Sequence, residues 1–314
     1  MNSQAPGAVL MIRPLSFGFN PETGASNAFQ ADPGNADPEV IHESALREFN
    51  RLTRMLRNSG VVTHVFDDTL SPRKPDAVFP NNWVSFHHDG TVVLYPMLAP
   101  NRRLERRLEL LGPLVKKLHF NITRILDLTA FELEGRFLEG TGSVVFDYVN
   151  NIAYSVISPR TDRGVLSVLC RELGFREFSF SATDRDGRDI YHTNVVMCIG
   201  TGYVIICLDA IENRFQQRKL VRHLEKSGLE IVNISVEQMY SFAGNMIELP
   251  GKEGEKLLVM SKTAYASLTS IQIAGITKYA KPAYEDIPTF EKYGGGSVRC
   301  MMAGIFLPVL SANP

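Results

Sequence analysis

The stretch N-W-V-S-F-H-H-D-G-T-V-V-L-Y, residues 82–95, reads as a β-hairpin. Apolar runs at 82–86 and 91–95 flank His87-His88-Asp89-Gly90, and Asp-Gly between such runs is the strongest short-range hairpin signal. The pattern recurs down the chain. Runs 142–146 and 152–157 flank Asn150-Asn151, runs 194–198 and 203–208 flank Gly200-Thr201-Gly202, and runs 245–249 and 256–260 flank a Gly-Lys-Glu-Gly turn. Residues 297–302 and 304–307 are expected to make a last pair. Helical patterns follow the first four, at 101–117, 162–173, 213–227 and 264–279. The leading residues Asn82, Gly142, Asn194, Asn245 and Ser297 lie 60, 52, 51 and 52 residues apart. Such near-constant spacing marks a repeat. No unit of this size buries its own apolar face, so five are expected to pack round a common axis as one α/β domain spanning 1–314. An ordinary α+β chain with irregularly spaced hairpins is the alternative.

Ahead of the repeats, A-V-L-M-I-R (8–13) is a strand ended by Pro14, expected to pair with the last unit and close the ring. Residues 39–58 form an amphipathic helix on Ile41, Ala45, Phe49, Leu52 and Leu56, and 61–66 a strand. Between the first strand and this helix runs a loop of over twenty residues, long enough to suggest function, in which Phe17 and Asn20 are candidates to line a ligand mouth.

Composition excludes several roles. The chain has 314 residues, 44% hydrophobic and 21% charged, with a formal charge of −1, so no global field recruits nucleic acid or membrane. Arg102, Arg103, Arg106 and Arg107 form a basic run, but interleaved Glu105 and Glu109 favour a solvated helix face. No apolar run reaches the length of a membrane span and no signal-peptide pattern opens the chain. Four scattered cysteines make neither a disulfide framework nor a metal pair, which suggests a reduced, cytoplasmic protein without a metal.

Near the C-terminus, G-G-G-S-V-R-C-M (294–301) sets a glycine run beside Arg299 and the thiol of Cys300. Glycines allow close backbone approach to a ligand, and a thiol beside a cation is a candidate nucleophile. If the units are equivalent, residues just ahead of each hairpin converge on the axis: Asp76 in D-A-V-F-P-N-N-W, Glu139 in L-E-G-T-G-S, His192 in Y-H-T-N, and Cys300. A Cys–His pair suggests covalent catalysis, and paired acids suggest a planar cation such as a guanidinium.

These three motifs, around Glu139, His192 and Cys300, resemble those of the guanidino-group-modifying superfamily, which includes arginine deiminases, dimethylarginine hydrolases, succinylarginine dihydrolase and amidinotransferases. The likeness runs from about residue 8 to 308 and is nearest to the arginine-deiminase-related branch of amidinotransferase-like or citrulline-utilisation hydrolases. It implies a five-bladed α/β propeller, which agrees with the five periods. It also implies that Cys300 attacks the guanidinium carbon and His192 acts as acid and then base. Glu139 would orient His192 and bind a substrate nitrogen, and Asp76 would be the second substrate-binding carboxylate.

One position departs from the pattern. Arginine deiminases carry an aspartate two residues after the histidine, where this chain has Asn194. Asn81 and Asn82 are neutral candidates for the missing contact. Arg13, Arg136, Arg160 and Arg299 are candidates for a substrate carboxylate, with Arg299 best placed by sequence. The expected activity is cofactor-independent hydrolysis of a C–N bond in arginine or a guanidino or ureido relative such as citrulline. Amidino transfer to an amine and non-catalytic ligand binding are the alternatives, and the resemblance is compatible with a homodimer.

Overall fold

The computed structural model describes residues 2–24 and 26–310, so the outermost ends of the expected 1–314 domain lie outside the described residues. Fifteen strands form four sheets among these residues. Their connectivity repeats one motif. Strands β3 (Val84–Phe86), β4 (Thr91–Leu94) and β5 (Arg124–Asp127) are the first instance, β3 antiparallel to β4 and β4 parallel to β5. The motif returns in β6 (Val145–Asp147), β7 (Ile152–Val156) and β8 (Arg176–Phe180), then in β9 (Met197–Gly200), β10 (Tyr203–Ile206) and β11 (Glu230–Asn233). It returns again in β12 (Ile247–Pro250), β13 (Lys256–Ser261) and β14 (Lys281–Glu285). In each case helical segments bridge the parallel pair, as parallel strands require.

The fifth instance is assembled from both ends of the chain. Strand β15 (Ala303–Ile305) runs antiparallel to β1 (Ala8–Arg13), with Ala8 opposite Ile305, and β1 runs parallel to β2 (Thr63–Asp67). Helix α1 (Pro38–Asn58) connects β1 to β2. The expected pairing of 8–13 with the last unit is therefore present. The expected pair 297–302 with 304–307 is not: 298–301 is a turn, and only β15 is a strand. Its antiparallel partner comes from the start of the chain. A single parallel contact, Ile305 with Phe86, joins this unit to the first and yields the six-stranded sheet.

Local chemistry sets these elements. Asp37 caps α1 by accepting from the Glu39 amide, Pro38 opens it, and Ile41, Ala45, Phe49, Leu52 and Leu56 form its buried stripe. Asp162 caps helix α2 (Arg163–Leu173) through the Val165 amide, and left-handed Gly174 ends it. The inner strands are buried along nearly their whole length, whereas β5, β8, β11 and β14 lie at the margins with polar, exposed residues. These four outer strands escape a reading of the sequence because R-I-L-D and K-P-A-Y-E carry no apolar run.

The expected helix at 101–117 is broken into a turn at Pro100–Arg103 and a helix at Leu111–Lys116. Pro113 has no amide to continue a helix from the preceding turn, so the second piece starts just ahead of it. The break turns Arg102 inward. It is 3% exposed, which overturns the solvated-face reading for this residue. The 264–279 segment likewise divides, at Leu268, because Thr269 starts helix α3 (Ser270–Thr277) with a capping box to Gln272.

Replacing Asp162 by Ala removes the α2 cap and a contact to Arg136. Denaturant unfolding is expected to register a loss of about 1 kcal/mol with an unchanged m-value.

Candidate active site

A short turn precedes the first strand of each unit, helical ahead of β3, β6 and β9, and the candidate residues lie at or just before four of these turns. Glu139 leads into Gly140–Ser143 and β6, and His192 into Thr193–Val196 and β9. Asp76 stands before the turn Pro80–Asn82 that leads to β3. Cys300 sits in the turn that leads to β15. The repeat thus delivers residues distant in sequence to one cavity, lined by Asp76, Asn82, Arg102, Arg160, His192 and Cys300, among others.

Glu139 lies beside this cavity and is fully buried. Its Oε2 is 2.8 Å from His192 Nε2, 3.3 Å from Arg160 Nη1 and 4.0 Å from Arg102 Nη1, while Oε1 accepts from the Leu98 amide at 3.0 Å. Burial alone would push the carboxyl up; Arg160, the His192 hydrogen bond and Arg102 outweigh it and hold the group well below the ordinary carboxylate range. Because ionised Glu139 only accepts, His192 Nε2 carries the hydrogen, which leaves Nδ1 to take and deliver a proton. Burial lowers His192 to about 4 against the opposing pull of Glu139, so its resting ring is neutral at physiological pH.

Asp76 Oδ2 accepts from Asn20 Nδ2 at 2.7 Å and Thr23 Oγ1 at 3.2 Å, and its buried Oδ1 has no protein partner. Arg102 makes a two-pronged pair with Glu105, both contacts 2.9 Å, and donates to Asn82 Oδ1 at 3.1 Å. Arg160 donates to Ser26 Oγ at 2.6 Å, lies over the Tyr191 ring, and keeps a buried, unpartnered Nε. Cys300 Sγ lies 3.4 Å from Asn194 Nδ2 and 3.2 Å from Asn245 Nδ2, so charge arriving on sulfur meets two amide donors.

Two glycines are fixed by close approach. A Cβ on Gly142 would fall 2.4 Å from Asn82 Nδ2 and 2.7 Å from His192 Nδ1. Gly295 has φ +60°, and a Cβ there would meet Asn27 Nδ2 at 2.5 Å; Asn27 and Tyr191 both donate to its carbonyl. The triglycine segment is therefore the tight wall of the cavity beside Cys300.

Asp76, Asn82, Glu139, His192 and Cys300 are gathered in one place, with Glu139 joining them through His192. Three other expected ligand contacts fall elsewhere. Phe17 is buried edge-on against Phe290, 4.7 Å between centroids, where it belongs to the core rather than a ligand mouth. Asn20 stands behind Asp76 and fixes its carboxylate. Arg299 turns away, donates to the Met302 carbonyl, and lines a separate cavity that Asn194 also lines. Of the other arginines weighed, Arg13 approaches Asp67 and Arg136 approaches Asp162, and only Arg160 lines the Cys300 cavity. Arg102 and Asn245 are site residues that the sequence does not single out. Asn245 carries a usable signal, since it holds the repeat position of Asn82 and Asn194.

Residues 13–307 match the family described as N,N dimethylarginine dimethylhydrolase, eukaryotic. The chain belongs to this family. The family assignment is accompanied by likeness to solved structures of guanidino-group enzymes. Apo ArgZ, an arginine dihydrolase from the ornithine-ammonia cycle in Cyanobacteria, is 16% identical with a TM-score of 0.69 over 96% of this chain and 41% of that one. The N-terminal domain of ArgZ bound to product is 16% identical, TM-score 0.71, covering 96% and 99%. A dimethylarginine dimethylaminohydrolase adduct with S-methyl-L-thiocitrulline is 15% identical, TM-score 0.62, covering 95% and 98%. The chain thus spans about two-fifths of full-length ArgZ and nearly all of its N-terminal domain. No curated protein matches it. Among the described residues no helix is long and apolar enough to cross a membrane.

Two measurements test the site's electrostatics. His192, and His87 buried beside Ser85, are both lowered to about 4 from 6.5, chiefly by burial. Between these values the unfolded chain binds more protons, so stability is complete above about 6.5 and is lost as pH falls toward 4. Thermal unfolding is expected to show that decline, with H192Q removing up to about 3 kcal/mol of its span and H87Q a similar part. Gly142→Ala is expected to reduce kcat on a guanidino substrate by roughly a hundredfold through displacement of His192, since misplacement of about 1 Å can cost that much. Circular dichroism checks that the variant is folded.

Proposed function

We propose that the protein is a cysteine-dependent hydrolase cleaving a C–N bond in arginine or a related guanidino or ureido amino acid. The observation that carries this reading is the shared cavity of Cys300, the Glu139-oriented His192 and the free Oδ1 of Asp76. ArgZ, similar in fold, is an arginine dihydrolase, and the family to which the chain belongs is named for a hydrolase of a substituted arginine.

In the proposed reaction Asp76 Oδ1 accepts from a substrate N–H and fixes the planar head group. The Cys300 thiol gives its proton to His192 Nδ1, and Sγ attacks the central carbon and forms a C–S bond. The C–N bond to the departing amine breaks as His192 Nδ1 delivers a proton to that nitrogen. Nδ1 then takes a proton from water, which attacks the same carbon and expels the thiolate; the sulfur takes that proton back, restoring the thiol and the neutral ring. Glu139 holds Nε2 throughout and balances the imidazolium when it forms. Arg160, with its unpartnered Nε, supports the reading of a substrate carboxylate bound at the cavity rim. This reading needs neither metal nor cofactor. We further infer that the five strand units are blades of one catalytic α/β propeller, with turn-borne side chains gathered at one end of its axis. A homodimer is the assembly that goes with this reading.

C300S is expected to abolish ammonia or amine release from a panel of arginine, methylated arginines, agmatine and citrulline, with products identified by mass spectrometry. Retained turnover would overturn the assignment. Wild-type release without an added amine acceptor separates hydrolysis from amidino transfer. D76N is expected to raise KM and lower kcat/KM by roughly tenfold to a hundredfold, the usual cost of one charge-assisted contact.

A further inference from the structure

A second cavity lies behind the Cys300 pocket and shares no lining residue with it. Its walls are largely apolar, among them Val145, Phe146, Met197, Ile247 and Phe306. Two charged groups line it. Glu248 is already engaged, one oxygen accepting from the Thr201 amide and the other from its hydroxyl. Arg299 is only partly engaged: one nitrogen donates to the Met302 carbonyl, and no carboxylate lies within 4 Å of the guanidinium among the described residues. A half-buried cation without a counter-ion is costly unless an anion accompanies it.

Asn194 stands in the wall between the cavities. It is 1% exposed and lines the second cavity; its buried Oδ1 has no partner, and its Nδ2 lies 3.4 Å from Cys300 Sγ. A ligand there thus meets an open cation on the residue next to Cys300 and touches a residue hydrogen-bonded to the sulfur. Gln4 bridges the neighbouring strand units at this cavity, donating to the Phe146 and Ile199 carbonyls and accepting from the Tyr148 amide.

We propose that this cavity is a regulatory site for a small monocarboxylate with an apolar body, its charge on Arg299 and its tail against Val145, Phe146 and Met197, and that occupancy is relayed to Cys300 through the charge of the adjacent Arg299. An anion on Arg299 cancels positive charge behind the sulfur, so the thiol becomes less reactive when the cavity is filled. The relation is reciprocal: whatever the carboxylate does to the sulfur, modification of the sulfur does to carboxylate affinity.

Hexanoate is the probe, followed by calorimetry and by the rate of Cys300 alkylation with iodoacetamide, read by peptide mass spectrometry; neither readout needs turnover. Hexanoate is expected to bind one site per chain and slow alkylation severalfold. R299Q is expected to weaken binding roughly tenfold or more, the worth of about one charge-assisted hydrogen bond. Because the catalytic cavity also holds arginines, R160Q is the discriminating control and is expected to leave hexanoate affinity within about twofold. Val145→Phe, which narrows the second cavity without touching the guanidinium, is expected to weaken hexanoate more than acetate and keeps the test valid if R299Q does not fold. Absent binding, binding lost in R160Q instead of R299Q, or binding with unchanged alkylation would each overturn the proposal.

Discussion

A carboxylate with no access to water lies at the centre of this protein, and the site is built to keep it charged. Glu139 is ringed by Arg160, Arg102, the His192 ring and the Leu98 amide. A buried carboxylate left without such partners would protonate, and Nε2 of His192 would lose the acceptor that fixes its tautomer. The arginines are anchored in turn, Arg102 by Glu105 and Asp76 and Arg160 by Ser26 and the Tyr191 face, and Asp76 is itself held by Asn20 and Thr23. Charge is handed outward from the centre until it reaches groups that backbone and solvent can satisfy.

The fold supplies the geometry this network needs. Inner strands are rigid, and a short turn ahead of them fixes where a side chain enters the cavity. Sites built this way are more precise than sites on free loops. The long loop after β1 acts as a brace. Asn20 and Thr23 tie it to Asp76 and Asn27 ties it to the triglycine segment, so it holds the acid and the wall in place together.

The repeat was legible because inner strands carry apolar runs and turn residues at regular spacing; 82–95 alone defines both strands and the Asp-Gly corner. The outer strands were not, since a half-exposed edge such as R-I-L-D gives neither a run nor a clean alternation. For the site, neighbouring positions in the repeat point to Asp76, Glu139, His192 and Cys300 from sequence alone. Arg102 was illegible for a physical reason: alternating charges read as a solvated helix until Pro113 and the pull of three acids break the helix and bury the guanidinium. Phe17 and Arg299 show the converse limit, because proximity in sequence to a site says nothing about which way a side chain turns.

The strand unit stitched from both chain ends has a consequence for how the molecule comes into being. During synthesis β1 emerges well before β15 and waits, one edge unpaired, for a partner that follows almost the whole chain later. Loop-closure entropy for that pairing is met only at the end, so the contact is among the slowest topologically to form. The segment that completes it also carries Cys300. The nucleophile is therefore installed last, on a scaffold whose acid, base and binding groups are already in the chain, and no shorter nascent species exposes a reactive thiol beside them.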